Sequence, residues 1–493
     1  MKRILYTTSA LAALAGAAFI LRAQSQADIQ VNIEKAGKAT IAIPDFRGSG
    51  QAQAFMATFN STLYHEIDNS GLFRMVPRSL MPLEVPQQPS DFRPAPAAGQ
   101  RDGGHYLGDW SGPPANATYL AFGYTAVQNN QFVLYGWLYN VTLNDASTAQ
   151  VIGKVYFGSL DEEGARTVAR EFAADILKQF GAASLIGTKI YFVSGKTGHK
   201  EIWSMDYDGA NQKAFTHYNS ISTFPCVSPD ASKVAFTSYV SGRPEIVMFS
   251  TLSGRKLPYY NQHASMNAAS DFTPDSSKLM IYSTAGGGYS QLFLTNIDGS
   301  GLQRLTFGNY ISVEGKVNPK TGRDIVFVSD RSGMPQIYTM SLDGAGETRL
   351  TSGEGEAVNP SWAPDGQHIA FAWTRGFEPG NYNIFVMDVA SRELTQLTHG
   401  AGRNENPSWA PDGVHIAYSS GQNGRLQIWT MLANGESKQQ LTTAGNNEKP
   451  VWSRASQRAA GARLTNAAGG PLSGRSAEHM AVMKKNQEEI NQG

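Results

Sequence analysis

The sequence predicts two folds in one chain: a small α/β domain, then a six-bladed β-propeller closed by the C-terminal strand. Three observations carry this reading. A unit of about 45 residues recurs between positions 190 and 452, and Pro229, Pro274, Pro319, Pro364 and Pro411 mark its copies. That period, with several short strands per unit, signals propeller blades rather than helix pairs. Residues ahead of the repeat mix strands and helices without the period, as an α/β domain does. The last copy is divided. Lys449-Pro-Val-Trp-Ser453 offers an inner strand with no successor, and Thr188-Lys-Ile-Tyr-Phe-Val193 a second strand with no predecessor. Joining them completes a sixth blade and removes the unpaired edges at the seam.

In chain order, Lys2 and Arg3, the apolar run 4–21 and the small residues Ala23 or Ala27 read as an export signal, 1–27, removed in the mature protein. An uncleaved anchor is the rival, but Tyr6, Thr7, Thr8, Ser9 and Gly16 dilute a run already near the lower spanning limit. Residues 28–182 form the α/β domain. Strands are expected at 40–44 and 72–76, with a helix at 52–69 on the spacing of Phe55, Phe59, Leu63 and Ile67. The stretch 82–114, rich in Pro, Gly and Gln, reads as a long mobile surface loop. Strands at 119–127, 132–141 and 151–157 and a helix at 162–179 complete the domain, and the propeller takes 183–453.

Each blade carries the same signatures. Pro-Asp-Gly, as in Asn359-Pro-Ser-Trp-Ala-Pro-Asp-Gly366 and Asn406-Pro-Ser-Trp-Ala-Pro-Asp-Gly413, is a tight turn: Pro presets φ, Asp bonds its own backbone and Gly accepts positive φ. Two alternating strands follow, then an Asp-Gly turn, then an edge strand ending in Leu-Thr, as at Arg304-Leu-Thr306 and Gln440-Leu-Thr442. Four antiparallel strands make a blade. Both turn types fall at one end of the strands. The opposite end collects the longer, variable loops, and loops on a rigid scaffold carry function.

Composition narrows the chemistry. With 41 basic and 41 acidic residues the chain lacks the basic excess that drives nucleic-acid binding. Cys226 is the only cysteine, which excludes an intramolecular disulfide and an all-cysteine metal site. There is no Gly-x-Ser-x-Gly elbow, His65-Glu66 lacks the second His of a zinc pair, and no glycine loop opens a helix. The chain therefore reads as a non-enzyme without cofactor or metal. Candidate partner contacts on the loop face are Tyr260, His263, Met266, Asn267, Tyr310, Ser312, Glu314, Arg403, Asn404, Glu405 and Asn446, a set in which aromatic and Arg side chains are typical anchors. Residues 454–493 read as a flexible tail, with a short helical stripe of Met480, Met483, Gln487 and Ile490.

The combination resembles the TolB family, the periplasmic component of the Tol–Pal system. Ile41-Ala-Ile-Pro-Asp-Phe46 is similar to the family's opening strand, and Asp68-Asn-Ser-Gly-Leu-Phe-Arg74 to its helix-end segment. The export signal, the α/β domain and six blades in this order add to the match. The resemblance implies a monomeric, non-enzymatic periplasmic scaffold whose loop face binds the peptidoglycan-associated lipoprotein Pal, with other outer-membrane proteins as further partners. It implies that the mature N-terminal segment, here Asp28, Ile29, Gln30, Val31, Asn32 and Ile33, engages the inner-membrane protein TolA. His263 stands where the family has a Pal-contacting histidine. The chain departs from the pattern at Asn318-Pro-Lys320, at 82–114 and beyond Arg454. An exported propeller that binds a small ligand or glycan in its channel is the alternative.

Overall fold

A computed structural model describes residues 38–94, 105–143, 145–400, 402–421 and 424–455. The expected export signal, the segment Asp28 to Ile33 and the tail beyond 455 lie outside the described residues. The chain divides into two compact units between Gly181 and Ala182.

The first unit runs β1 (Ala39–Ala42), β2 (Arg47–Gly48), α1 (Met56–Asn69), β3 (Phe73–Met75), α2 (Leu107–Ser111), β4 (Tyr119–Gln128), β5 (Gln131–Asn140), α3 (Ala146–Ala149), β6 (Gln150–Ser159) and α4 (Glu162–Gln179). Its sheet has the order β3-β1-β4-β5-β6, with β2 also beside β4. The β1 and β2 pairings are parallel, and β4-β5-β6 is an antiparallel meander. Helix α1 buries Met56, Phe59, Leu63 and Ile67, and α4 buries Ala165, Val168, Ala169, Phe172, Ala173 and Ile176, one stripe each at helical spacing. Asp161 caps α4 by accepting from Gly164 N at 2.7 Å, and Glu162, Glu163 and Lys178 complement its dipole. These stripes cover one face of the sheet, where Phe59 meets Phe46 and Phe132.

The other face overturns one expectation. The described parts of 82–114 are no mobile surface loop but a strap fastened by buried side chains. Met81, Phe92, Leu107, Trp110 and Ala115 pack with Leu120, Phe122, Trp137 and Tyr139. Phe92 stacks on Tyr139 at 5.6 Å and meets Phe122 edge-on at 5.4 Å. Each such anchor contributes about 1.5–3 kcal/mol when fully buried, enough to hold a segment with little regular structure.

The second unit is a ring of six four-stranded antiparallel sheets. Their inner strands are Ser222–Val227, Asn267–Phe272, Ser312–Val317, Ala357–Trp362, Asn404–Trp409 and Asn447–Trp452. The divided blade closes as expected: Asn447–Trp452 pairs antiparallel with Lys189–Ser194, setting Trp452 opposite Ile190. Lys189 N donates to Ser453 Oγ at 3.0 Å, and Trp452 Nε1 to Thr188 Oγ1 at 3.0 Å, across the seam.

The repeated motifs have local causes. Asp230, Asp275, Asp365 and Asp412 each accept from the backbone N–H two residues on. Asn318 takes over this role where the motif departs, accepting from Lys320 N and Thr321 N, so the turn survives. The Asp-Gly glycines need both a positive φ and a missing side chain. At Gly299 φ is +81° and a Cβ would fall 2.3 Å from Tyr260 O of the preceding blade; at Gly344 it would fall 2.9 Å from Leu305 O. The Leu-Thr ending is a latch. Thr306, Thr351, Thr398 and Thr442 accept through Oγ1 from Leu292 N, Ile337 N, Ile384 N and Ile428 N, the buried start of the third strand. Among the described residues, no helix is long and apolar enough to cross a membrane.

Candidate functional site

The six inner strands surround a channel cavity of about 240 Å3. Five of them break register with a bulge whose first residue lies in the left-handed region: Phe224, Glu314, Asn359, Asn406 and Lys449, with φ of 50°, 56°, 55°, 54° and 55°. Ala269 holds the matching position in the remaining strand, where φ is not positive. Such conformations cost about 1–3 kcal/mol each and persist where their surroundings fix them. Each inner strand begins at the loop-rich end, so the bulges ring the channel near that end.

The bulged side chains fasten to one another around the ring. The Glu314 carboxylate accepts from Asn359 N at 2.8 Å and Asn359 Nδ2 at 3.0 Å. Asn359 Oδ1 accepts from Asn406 N at 3.3 Å, and Asn406 Oδ1 from Lys449 Nζ at 3.5 Å. Lys449 lies 4.6 Å over the Phe224 ring, which meets Tyr282 edge-on at 5.8 Å. The belt thus has a hydrogen-bonding arc from Glu314 to Lys449 and an aromatic arc at Phe224 and Tyr282.

A second belt lies one pleat further in. Asp271 accepts from Val317 N at 2.8 Å, Ser361 Oγ from Trp409 N at 3.4 Å and Ser408 Oγ from Trp452 N at 2.9 Å. Desolvation raises the Asp271 carboxyl above its ordinary value, while the charge of Lys316 pulls it down. Burial pushes the Cys226 thiol up to about 12, so it stays protonated at neutral pH and acts as a small apolar residue. The arrangement can hold polar and aromatic groups of a bound segment. Among the described residues no cluster of three His, Cys, Asp or Glu is placed to hold a metal ion.

The expected loop-face residues separate into two groups. Tyr260 is 66% exposed, and His263, Arg403 and Asn446 are exposed as well. Tyr260 flanks the Asp-Gly turn of the next blade, its N–H donating to Asp298 O at 2.7 Å, so its expected place on the loop face is corrected to the turn end. The other group is framework. Asn267, Ser312 and Asn404 are buried at the first position of their inner strands. Ser283 donates to Asn267 Oδ1 at 2.7 Å, Ser312 bonds Ser329, and Asn404 sits against Asn383. Their reading as surface contacts is corrected: small polar side chains there join neighbouring strands. Glu405 is buried and held by Arg403 at 2.8 Å. Met266 is half-buried against a blade core, and Asn446 Oδ1 accepts from Leu426 N at 2.9 Å.

Tyr310 lies 4.4 Å beneath Arg331, whose guanidinium also covers Phe327 and Tyr338 and pairs with Glu347. Glu314 belongs to the belt. The sequence reading missed Asn359, Asn406, Lys449 and Phe224 as a set. Their shared place, five residues before Pro364, Pro411, Arg454 and Pro229, was the available signal.

Comparison with known proteins agrees with this architecture. The family model described as the TolB beta propeller domain matches residues 178–377 and 351–468, together more than half of the chain. A TolB homolog of Chlorobaculum tepidum is 31% identical over 249 residues, 50% of this chain and 51% of that protein. A Tol-Pal system protein TolB of Roseobacter denitrificans is 32% identical over 165 residues, 32% of this chain and 35% of that one. The match thus spans about half the length, or less, of these relatives. The crystal structure of TolB from Acinetobacter baumannii superposes with a TM-score of 0.67 over 85% of this chain and 97% of that one, at 20% identity, which speaks to the fold. By its repeats, its closed ring and the family match, this chain belongs to the TolB β-propeller family.

Proposed function

We propose that the protein is an exported, periplasmic, non-enzymatic scaffold of a Tol–Pal-like system. In this reading residues 1–27 are removed on export. The loop-rich end of the ring binds a peptidoglycan-associated lipoprotein, and Asp28 to Ile33 bind an inner-membrane TolA-like protein. The bridge supports outer-membrane integrity and cell division. The observation that carries the reading is a closed propeller of the TolB family whose variable loops gather at one end, above a belt of polar and aromatic side chains. Relatives named as Tol-Pal system proteins favour the same partners.

Within that face, His263 and Arg403 are the exposed anchors. Exposed aromatic and Arg side chains commonly dominate such interfaces. The test is capture from solubilised envelope on the immobilised full chain. The lipoprotein is expected to co-purify, and a His263→Ala variant to retain about a tenth of it with unchanged melting temperature. Deleting residues 28–33 is expected to remove the inner-membrane partner alone. Failure of both partners to co-purify would overturn the reading.

A further inference from the structure

A second cavity, of about 580 Å3, lies wholly within the α/β unit. Three pieces of chain line it: Arg47 to Ser49 around β2, Tyr124 and Thr125 in β4, and strap residues 83–91 together with His105. Without the strap the sheet face would be open here. The cleft is therefore a product of the strap.

The lining is held in place. The Tyr124 ring stacks on Tyr135 across the β4–β5 pair, at 4.9 Å and 12°, and on Trp137 at 6.4 Å. Asp91 Oδ2 accepts from Gln87 N at 2.8 Å and Gln88 N at 3.1 Å, which fixes the strap turn. The side chains of Arg47, Glu84, Gln87 and His105 and the phenol of Tyr124 make no hydrogen bond or ion pair to any described residue. Four polar side chains without a partner among the described residues thus gather about the Tyr124 ring and its phenol.

That chemistry selects a ligand class. Arg47 is outweighed by Glu84 and Asp91, so the cleft does not suit a polyanion. Only Leu83 and Val85 supply aliphatic surface, too little for a greasy ligand. Amide, guanidinium, imidazole and carboxylate groups pair well with hydroxyls that both donate and accept. An aromatic ring packs against an apolar C–H face. We propose that this cleft binds a short uncharged saccharide, its C–H face against Tyr124 and its hydroxyls shared among Arg47, Glu84, Gln87 and Asp91. The volume lies in the range of small-ligand sites and accommodates two or three sugar rings. The site is separate from the propeller and does not rest on the partner reading above.

The test is calorimetric titration of the full chain with three probes: an N-acetylglucosamine trimer, cellotriose and maltotriose. At least one is expected to bind with a dissociation constant at or below the order of 1 mM. An Arg47→Ala, Gln87→Ala double variant is expected to weaken it about tenfold while keeping the melting temperature, because neither side chain bonds a described residue. Tyr124→Phe, which keeps the stack, is expected to weaken it by a smaller factor. Absence of binding for all three probes, or binding unchanged in the double variant, would overturn the proposal.

Discussion

Single side chains decide whether the repeat closes into blades. Thr398 accepts from Ile384 N at 2.8 Å and donates to Asn383 Oδ1 at 3.0 Å, both buried. Thr398→Val keeps the volume but strands a buried donor, so unfolding in urea is expected to show a loss of about 1–3 kcal/mol, and Thr398→Ser much less. A valine variant as stable as the parent would refute the latch. On the turn face, His368 Nδ1 lies 2.6 Å from Asp365 Oδ2. That hydrogen bond raises the imidazole above its ordinary 6.5, against the effect of burial, with help from the charges of Asp365, Asp388 and Glu393. A folded value above the unfolded one means the stabilisation is fully present below pH 6.5 and is lost as pH rises through the folded value. His368→Gln is therefore expected to lie further below the parent in melting temperature at pH 6 than at pH 8. A gap independent of pH would contradict this.

At the scale of elements, the strap and the bulged inner strands show where sequence patterns end. Blade strands, α1 and α4 were legible because apolar residues recur with periods of two and 3.6. The strap has no such period. Its anchors Phe92, Tyr106, Leu107 and Trp110 follow no regular spacing, and only the sheet face beneath reveals them as core. Trp110, 1% exposed, is expected to cost about 3–5 kcal/mol when changed to Ala, read as a lower urea midpoint; an unchanged midpoint would make the strap dispensable. Asn267, Ser312 and Asn404 misled in the opposite way, since polarity suggested exposure. Yet they, with Ser222, stand seven residues before Pro274, Pro319, Pro411 and Pro229, a fixed place in the repeat that is the mark of framework. The belt makes its own prediction. Asn359 sits at φ 55°, where Gly fits and a β-branched residue does not. Asn359→Val is expected to lose about 1–3 kcal/mol more than Asn359→Gly by thermal melting. Equal losses would place the role of Asn359 wholly in its hydrogen bonds.

At the scale of the whole molecule, one topological fact organises the ring: both ends of the repeat region contribute to the same blade. Asn447–Trp452 supplies the inner strand to a sheet otherwise built from residues 189–214, and bonds from Ser453 and Trp452 lock the seam. The closed ring keeps the six inner strands around one channel and gathers the belt from Glu314 to Lys449. Losing the last strand would remove Lys449 from the belt and expose the edge of Lys189–Ser194, an open edge prone to pairing with other chains. Two truncations separate the ring from the C-terminal tail, one ending at residue 455 and one at residue 446. Sedimentation and thermal unfolding of the pair test closure most directly. The account predicts that the chain ending at 455 remains a monomer with the parental melting temperature, whereas the chain ending at 446 melts lower and self-associates. A chain ending at 446 that stays monomeric with an unchanged melting temperature would contradict it.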